Sequence, residues 1–479
     1  MPLPVSPRCR RPSRRRDETA ILHVPYTYFP DAVGGTEAYV AGLAEALRPH
    51  GVHSSIAAPG DVDDAYRHDD VPVFRFATES RPDINRAYGA PDAGAAQSSR
   101  ALIARLRPGI VHLHAHTAAV SVRLVDAAHE AGAKVVLTYH TPTVSCPRGT
   151  MMWMGRVPCD GKLDRRRCTL CTLAQHGVPP TFRDVIARTP QAIGDVLGRA
   201  GLAGGAFTAL RLSSLIGARH RRFEDLARKV DRIVAPCDWV CAVLRRNGVP
   251  EEKLVLCRQG LTGHPGPQAS PQPNPEFRDT ASLLRLGYFG RLDPTKGVDI
   301  VVEALRRVPN ASVRLAIYGI RQRGCEAYVA RLERAAATEP RVALLSALPP
   351  DAVGGAMRRC DLVVVPSRGL ETGPLVVLEA FAAGTPVLGA RLGGIAELVS
   401  DQVDGLLIPP EDPGAWASAI AALAAAPERL ARLRAGIRPP RTMDDVARDM
   451  AELYRTLLPG AGARLDDQVG LSDAADRRP

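Results

Sequence analysis

The chain has 479 residues and a formal net charge of +11, with 45% hydrophobic and 24% charged residues. This ordinary globular composition excludes wholesale disorder, and the length exceeds what one hydrophobic core normally organises, so two domains are expected. No apolar run long enough to cross a bilayer occurs, and no cleavable apolar leader follows the N-terminal arginines, so neither a transmembrane helix nor a signal peptide is expected.

Basic residues are concentrated at the start of the chain. Residues 1–16 contain six Arg and no acid, so about half of the net charge lies there. We expect residues 1–17 to form a solvated, disordered tail. The charge that remains is too small to require a nucleic acid, and none is expected as a partner. It suits an anionic small ligand or peripheral contact with an anionic membrane.

The first half of the chain, 18–261, alternates apolar runs of strand length with segments of helical spacing. Such alternation predicts a parallel sheet covered by helices on both faces. Residues 141–180 interrupt the pattern as an insertion with clustered Cys. The predicted strands are 20–24, 52–57, 71–76, 110–114, 135–138, 232–235 and 254–257, and the predicted helices are 36–47, 118–131, 181–200, 205–229 and 238–246.

A linker and a second alternation follow. Residues 262–280 contain five Pro without apolar periodicity, which predicts a linker to a second domain at 281–440. A last amphipathic helix is expected at 441–458 and a disordered tail at 459–479. In the second domain the predicted strands are 283–289, 313–318, 342–347, 362–366, 386–389 and 405–408, and the predicted helices are 297–307, 325–337, 351–359, 375–383, 394–399 and 413–425.

The predicted fold class is therefore α/β, with two Rossmann-like domains facing each other across a cleft. Ligands of open α/β sheets bind outside the carboxyl ends of the strands. Residues at those strand ends are the candidates for chemistry.

The loop from Gly290 to Gly297 follows a predicted strand and opens a helix. Arg291 and Lys296 on such a loop can neutralise a diphosphate without a metal, and the glycines allow close backbone approach. Taken alone, the same loop is also compatible with a solvated turn.

Two carboxylates stand eight positions apart after the strand at 362–366. Glu371 lies in the loop, and Glu379 lies inside an otherwise apolar helix, where a carboxylate needs a partner or a function. The helix start offers unpaired N–H groups to an anion, and a carboxylate can accept two hydrogen bonds from a vicinal diol. The pair therefore fits a ligand with a sugar at each end of a diphosphate.

Two weaker signals lie in the first half. Gly34 and Gly35, between the first strand and helix, permit close approach to a phosphate or sugar but are common in turns. His140 follows a strand and is a candidate polar contact in the cleft, although a single His is more often structural. The glycines do not form the G-x-G-x-x-G fingerprint of dinucleotide binding.

The order of these segments resembles the family 4 glycosyltransferases, retaining enzymes of the GT-B architecture. The matching segments span about 20–458 and are strongest from 286 to 410: FPDAVGGTEAYVAGLAEAL, TYHT, YFGRLDPTKGVDIVVEAL and PSRGLETGPLVVLEAFAAGTPVLGARLGGIAELV.

The resemblance implies a role for each matching residue. Arg291 and Lys296 would hold the diphosphate of a nucleotide-sugar donor, Glu379 the ribose hydroxyls, and Glu371 the transferred sugar. His140 would contact the donor sugar near the reacting carbon. The implied catalytic set is His140, Arg291, Lys296 and Glu371. The implied donor-binding set is Gly34, Gly35, Gly290, Arg291, Lys296, Glu371, Thr372, Gly373, Leu375 and Glu379.

The resemblance also implies that transfer needs no metal cofactor, that the acceptor binds mainly to the N-terminal half, and that the final helix crosses back to that half. The acceptor would be a lipid, a glycan or a small molecule. One departure is Pro374, which lacks the N–H that could bind a phosphate there. The alternatives are a sugar-nucleotide epimerase or phosphorylase of the same architecture, or a non-catalytic nucleotide-sugar-binding or zinc interaction protein.

The four Cys of the insertion are Cys146, Cys159, Cys168 and Cys171. The C-x2-C spacing of the last pair is typical of metal-binding hairpins, so a structural zinc ion is expected, with free thiols or a disulfide as the alternative. The other Cys are mostly isolated, which fits a reducing, cytoplasmic compartment.

Three further patterns involve histidines, aspartates and a basic helix. His112, His114 and His116 alternate along a strand end and are expected in the cleft wall. Asp61, Asp63 and Asp64 resemble a metal-binding Asp-x-Asp motif in a polar loop and are expected to be solvated. A basic face on helix 205–229 could meet an anionic membrane, or its arginines could be solvated over a packed helix. It comprises Arg219, Arg221, Arg222, Arg228 and Lys229.

Overall fold

The computed structural model describes residues 19–31, 34–79, 83–202, 204–261 and 283–458. The tails expected at 1–17 and 459–479 and the linker expected at 262–280 lie outside the described residues. Among the residues described, no helix is both long and apolar enough to cross a membrane.

The N-terminal half is built on an eight-stranded sheet with the strand order β10-β9-β6-β5-β1-β2-β4-β3. All neighbouring strands are parallel except β3, which pairs antiparallel with β4 at the edge. The strands of this half, including the two-stranded hairpin β7–β8, are β1 Thr19–Val24, β2 Val52–Gly60, β3 Asp64–His68, β4 Val71–Ala77, β5 Ile110–Leu113, β6 Lys134–Thr138, β7 Met152–Trp153, β8 Val157–Pro158, β9 Arg232–Ala235 and β10 Leu254–Leu256.

Helices cover both faces of this sheet. Their first turns are capped where the sequence supplies an acceptor: Asp92 accepts the N–H of Ala95 at the start of α3. The helices of this half are α1 Gly35–Ala46, α2 Ile84–Ala87, α3 Ala93–Leu106, α4 Val122–Glu130, α5 Arg165–Gln175, α6 Pro180–Ala187, α7 Gln191–Arg199, α8 Gly205–Lys229 and α9 Asp238–Arg246.

The C-terminal half is a second parallel sheet with the order β13-β12-β11-β14-β15-β16. Two of its strands, Leu362–Val365 and Val387–Ala390, are wholly buried apolar runs, as expected for a sheet covered on both faces. Its strands are β11 Leu284–Leu292, β12 Val313–Arg321, β13 Val342–Ser346, β14 Leu362–Val365, β15 Val387–Ala390 and β16 Gly405–Ile408. Its helices are α10 Val298–Arg307, α11 Glu326–Ala337, α12 Pro350–Arg358, α13 Leu375–Ala382, α14 Gly393–Leu398, α15 Pro413–Ala424 and α16 Pro427–Ala435.

The last helix, α17 Met443–Leu457, packs on the N-terminal half. Its apolar face joins one buried cluster with Tyr39 and Leu43 of α1. The hydroxyl of Tyr454 lies 2.7 Å from Nδ1 of His112 in β5. The chain thus crosses between the two halves twice, and the crossing segments are hydrogen-bonded to each other through the N–H of Leu261 and the carbonyl of Arg441 at 2.8 Å.

The predicted fold class is confirmed, and several elements differ from prediction. The single helix predicted at 181–200 is two helices, α6 and α7, because Pro190 stands between them. No element was predicted between residues 77 and 109, where α2 and α3 lie, and α5, α16, β3 and the hairpin β7–β8 were not predicted either.

Candidate active site

The loop after β11 is fixed by its own side chains and by the neighbouring loop. The buried carboxylate of Asp293 accepts hydrogen bonds from the N–H and the hydroxyl of Thr295. Gly297 has φ +69°, and a Cβ there would lie 2.1 Å from the carbonyl oxygen of Pro366. Because only glycine tolerates both conditions, this position sets how closely the loop approaches the loop after β14.

That close approach brings Lys296 to Glu371. The ammonium Nζ of Lys296 donates to Oε1 of Glu371 at 2.6 Å, and each side chain is 23% exposed. The hydroxyl of Ser367 donates to the same oxygen at 2.8 Å. Burial alone would raise the pKa of Glu371, but Lys296, Ser367 and Arg291 outweigh it, so this pKa lies below its usual value. Glu371 is therefore ionised at neutral pH.

Arg291 lies at the same edge of the sheet. Its Nε is 3.7 Å from Oδ2 of Asp293, and its side chain is 40% exposed. A cationic fork with exposed N–H groups beside an ammonium group is a site that can accept a phosphate or diphosphate. Gly290, just before it, would bring a Cβ to 3.3 Å from the hydroxyl of Tyr288, so backbone and ring are close here.

Glu379 is carried by α13, half-buried among apolar neighbours. Burial raises the pKa of this carboxyl. No hydrogen bond or ion pair holds its carboxylate within the part of the chain that is described. An ionisable group buried without a partner costs free energy, which is a common feature of binding sites.

The N-termini of α1 and α13 meet across the cleft. A Cβ on Gly35 would lie 3.3 Å from Cδ1 of Leu375, whereas a Cβ on Gly34 would have no neighbour within 4 Å. The N–H of Gly34 donates to Oε2 of Glu37 at 3.0 Å. Two helix starts that face one open space direct positive dipole ends toward it, which favours an anion there.

The loop that carries Glu371 is attached to the N-terminal half. The hydroxyl of Thr372 donates to the carbonyl of His140 at 2.6 Å, and Nε1 of Trp239 donates to the carbonyl of Glu371 at 2.9 Å. Gly373 lies against Gln259, whose side chain would be 3.3 Å from a Cβ at that position. His140 is itself buried, and its ring packs edge-on against Tyr39 at 4.7 Å.

The structure brings several of the candidate donor residues together. Arg291, Lys296 and Glu371 form one charged cluster, and His140, Thr372 and Gly373 form one contact between the halves. The sequence analysis missed Trp239 and Glu397. The Glu397 carboxylate accepts the N–H groups of Asp238 and Trp239 at 2.8 and 2.9 Å. No local sequence signal marks these residues, since their partners lie about 130 to 160 positions away.

Two sequence profiles match the chain. Residues 33–166 match the one described as Glycosyltransferase Family 4, and residues 284–426 match the one described as Glycosyl transferases group 1. Together they cover more than half of the chain and contain the whole charged cluster. The chain belongs to glycosyltransferase family 4.

Curated relatives of this chain carry the name D-inositol 3-phosphate glycosyltransferase. The protein from Segniliparus rotundus is 39% identical over 158 residues, which is 32% of this chain and 35% of the relative. The protein from Geodermatophilus obscurus is 35% identical over 262 residues, which is 50% of this chain and 57% of the relative. The chain therefore spans between about a third and somewhat more than half of these relatives' lengths.

Solved structures support the GT-B fold along nearly the whole chain. HepE from Anabaena in complex with UDP superposes with a TM-score of 0.59 at 17% identity and covers 91% of this chain and 100% of its own. Sucrose-phosphate synthase from Thermosynechococcus elongatus gives a TM-score of 0.64 at 19% identity, with 92% and 100% covered.

The four Cys of the insertion line a single small cavity of about 30 Å³. Burial raises the pKa of Cys159 and Cys171 and raises that of Cys168 to about 12, so these groups are neutral thiols. Their sulfur atoms are not gathered at ligand spacing. The described residues contain one set of three or more potential metal ligands within 4.8 Å of one another, namely His23, His112 and His114.

The basic face predicted on α8 is a free surface only in part: Arg221 and Arg228 are exposed, whereas Arg219, Arg222 and Lys229 are partly buried. Leu215, Ile216 and Phe223 are buried, and the guanidinium groups of Arg219 and Arg222 donate to the carbonyls of Thr143 and Tyr88. The helix is packed into the domain, because its apolar face completes two buried clusters.

The predicted Asp-x-Asp motif and the alternating histidines lie in different environments. The predicted Asp-x-Asp motif is exposed between β2 and β3, and the carboxylate of Asp63 accepts the N–H of Ala77. Of the alternating histidines, His112 and His114 are fully buried inside the sheet rather than in the cleft wall. His116 is partly buried, with Nδ1 3.5 Å from the carbonyl of Val144.

Proposed function

We propose that the chain is a retaining glycosyltransferase that moves a hexose-type sugar from a nucleotide-diphosphate sugar to an acceptor. The observation that carries the proposal is the cluster of Arg291 and Lys296 around Glu371, at the open space where the starts of α1 and α13 meet. Cations flanking a carboxylate suit a ligand in which a diphosphate adjoins a hydroxyl-rich ring.

The roles follow from charge. Breaking the sugar–phosphate bond builds negative charge on the departing diphosphate, and fixed cations stabilise it. An ammonium group has three N–H donors, so Lys296 can keep its bond to Glu371 and still donate to a phosphate oxygen. Arg291 supplies the second cation, and no step requires a metal.

The remaining candidate residues bind hydroxyls. Glu371, held ionised, accepts hydrogen bonds from the transferred sugar. Glu379, whose carboxylate has no partner among the described residues, accepts two from the ribose diol. His140 adjoins the loop of Glu371 through Thr372 and contacts the sugar near the reacting carbon.

The test measures donor binding and transfer. Arg291→Ala and Lys296→Ala are expected to weaken donor binding about tenfold to a hundredfold, the cost of hydrogen bonds to charged groups. Arg334→Ala and Lys162→Ala, which remove exposed cations elsewhere, serve as matched controls. Titration calorimetry with UDP-glucose, GDP-mannose and ADP-glucose finds the donor. Normal turnover by both site variants would show that the site is misplaced.

The acceptor requirement and the identity of the product distinguish this activity from its alternatives. Because relatives are named D-inositol 3-phosphate glycosyltransferases, the acceptor panel starts with that compound and continues with lipid and glycan extracts. Product formation only with an acceptor supports transfer, whereas a changed donor without an acceptor indicates an epimerase. Donor binding with no turnover on any acceptor indicates a non-catalytic binding protein.

We propose that the contact with an anionic membrane lies on α6, α7 and the start of α8. Half of the twelve exposed large apolar side chains of the described residues lie between 182 and 207. They are Phe182, Val185, Ile193, Val196, Leu202 and Phe207. Arg188 and Arg199 are exposed on the same segment. Apolar groups beside arginines suit the interface of an anionic bilayer.

Vesicle sedimentation tests this surface. The protein is expected to pellet with phosphatidylglycerol vesicles and not with phosphatidylcholine vesicles, and Phe182→Ser with Val185→Ser should abolish pelleting. Val62→Ser with Val403→Ser, at exposed apolar positions elsewhere, is the control. Equal pelleting of both double variants would refute the location.

All nine described Cys are free thiols, which supports a protein of the cytoplasm that contacts the inner membrane face.

We also propose that the four Cys of the insertion hold a structural zinc ion. Four sulfur donors lining one cavity are the soft set that zinc prefers. The N–H of Met154 donates to Sγ of Cys171 at 3.2 Å, a hydrogen bond that would stabilise a thiolate once zinc is bound. Metal binding would have to draw the sulfur atoms together and release their protons.

A further inference from the structure

A line of buried side chains runs through the N-terminal sheet and ends at His140. Nε2 of His140 lies 2.9 Å from Nδ1 of His114, and Nε2 of His114 lies 3.0 Å from Nδ1 of His23. Nε2 of His23 lies 3.3 Å from the hydroxyl oxygen of Ser54. All three imidazoles are at most 5% exposed. We call Ser54, His23, His114 and His140 the histidine chain.

The imidazoles of this chain are neutral. Burial lowers the pKa of His23 and of His140 to about 3, and burial together with the neighbouring imidazoles lowers that of His114 well below its usual value. A neutral imidazole carries one N–H donor and one acceptor nitrogen. Each contact in the chain can therefore hold one hydrogen, and the tautomers of the three rings are correlated.

Only two arrangements satisfy every contact. In one, each Nε2 is protonated and donates toward Ser54, which leaves Nδ1 of His140 as an acceptor. In the other, Ser54 donates and each Nδ1 is protonated, which leaves Nδ1 of His140 as a donor. That atom is buried and has no hydrogen-bond partner among the described residues. A buried polar atom without a partner is costly, so it is suited to receive one from a ligand.

We propose that His114, His23 and Ser54 are positioning residues that fix the tautomer of His140, so that its Nδ1 accepts a hydrogen bond from a hydroxyl of the donor sugar. The inference rests on the proposed function, since it needs a sugar beside His140. The Nε2–H form is chosen because it is the more stable tautomer of a neutral histidine side chain. It also leaves a lone pair, rather than a buried N–H, unpaired before the ligand binds.

The same histidines do not favour a metal site. His23, His112 and His114 lie within ligand spacing of one another, but every one of their six ring nitrogens already has a hydrogen-bond partner. These partners are other imidazoles, including that of His140, or hydroxyl groups, and no carboxylate among the described residues is hydrogen-bonded to the three rings. His112 instead bonds Tyr454 and Thr138 and does not belong to the chain.

Nitrogen NMR of the unmodified protein tests the tautomer directly. With ¹⁵N-labelled histidine, His140 is expected to show an unprotonated Nδ1 and a protonated Nε2, and His140→Gln assigns the signal. A protonated Nδ1 on His140, or a charged ring, would overturn the proposal. This measurement needs no donor and therefore holds even if the proposed function fails.

Binding selectivity tests the consequence. His114→Phe keeps the ring shape and breaks the chain, so binding of the best nucleotide sugar among UDP-glucose, GDP-mannose and ADP-glucose should weaken about three- to tenfold, the value of one neutral hydrogen bond. Binding of the matching nucleoside diphosphate should be unchanged, because its cations lie in the other half. His112→Phe, an equally buried imidazole 4.0 Å away, is the matched control and should change neither.

Two more variants distinguish an effect of the hydrogen bonds in the histidine chain from an effect of packing. His114→Gln retains a donor and an acceptor and should restore most of the selectivity, and Ser54→Ala should reproduce part of the loss from the far end. Unchanged selectivity in His114→Phe, or equal weakening of nucleotide and nucleotide sugar, would refute the inference. Failure of all three nucleotide sugars to bind the unmodified protein would refute the proposed function instead.

Discussion

The ion pair between Lys296 and Glu371 allows a quantitative test of how the candidate site is held. Its N–O distance is 2.6 Å, and each side chain is about three-quarters buried at 23% exposure. Exposed ion pairs contribute at most about 1 kcal/mol, whereas removing one partner of a buried pair costs about 3–5 kcal/mol. We therefore expect Lys296→Met to lower the free energy of unfolding by about 2 kcal/mol, and Glu371→Gln by somewhat less.

The double variant should recover part of this loss. With both charges removed, no uncompensated charge is left, so its destabilisation should fall short of the sum of the single variants by about 1–2 kcal/mol. Arg321 and Glu333 give a matched control, since their N–O distance is also 2.6 Å but their side chains are 64% and 46% exposed. Urea unfolding should give a coupling of no more than about 0.5 kcal/mol for that pair.

The pH dependence has a defined sign. The cations depress the pKa of Glu371, so its stabilising contribution is present above the pKa of the unfolded chain and is lost as the pH falls through the lower folded value. Without Lys296 the effect of burial dominates, so the loss in Lys296→Met should be largest near pH 7.5 and shrink on acidification. Additive single variants, or equal coupling in both pairs, would refute this account.

Three further outcomes are expected. Glu379→Gln should raise the free energy of unfolding at pH 7.5, because burial raises the pKa of that carboxyl and so disfavours its ionised form. The same variant should weaken donor binding at least about tenfold, measured by calorimetry. A destabilised variant that still binds donor would contradict both expectations. Below pH 6.5 the free energy of unfolding should fall by up to about 1.4 kcal/mol per pH unit for each buried neutral histidine. His112→Gln should reduce this slope, measured by urea unfolding at several pH values. A slope equal to that of the unmodified protein would contradict the prediction. Metal analysis should find about one zinc per chain, retained in Cys325→Ala and lost in Cys168→Ala, and metal-free protein would remove the zinc proposal.

The elements that sequence reasoning located well are those whose local pattern and tertiary role agree. β9 and α8 begin and end where predicted. In a parallel sheet covered on both faces, a short apolar run forms a buried strand, and a long amphipathic stretch forms a helix packed on the sheet. By contrast, α3 was missed because half of its buried residues, Ala95 and Ser99, are small and give little hydrophobic periodicity.

The candidate site also contains some residues that could be predicted from the sequence and others that could not. Arg291, Lys296 and Glu371 could be placed from sequence, because the carboxyl ends of parallel strands share one edge. Lys296 and Glu371 follow strands as predicted, whereas Arg291 lies near the end of β11, which extends past the predicted residue 289 to Leu292. The partners of Glu397 and the histidine chain could not, since their contacts join residues 26 to 159 positions apart. A single sequence contains no signal for such pairs, and only the folded chain brings them together.

The loop that carries Glu371 is held by both halves of the molecule. Its carbonyl at Glu371 accepts hydrogen bonds from Trp239 of the N-terminal half and from the N–H of Gly394 of the C-terminal half, at 2.9 and 2.6 Å. The hydroxyl of Thr372 adds a bond to His140. The two bonds to the N-terminal half, at about 0.5–1.5 kcal/mol each, must break if the halves separate. The position of the Glu371 carboxylate, which we propose contacts the donor sugar, therefore depends on how the N-terminal half is seated.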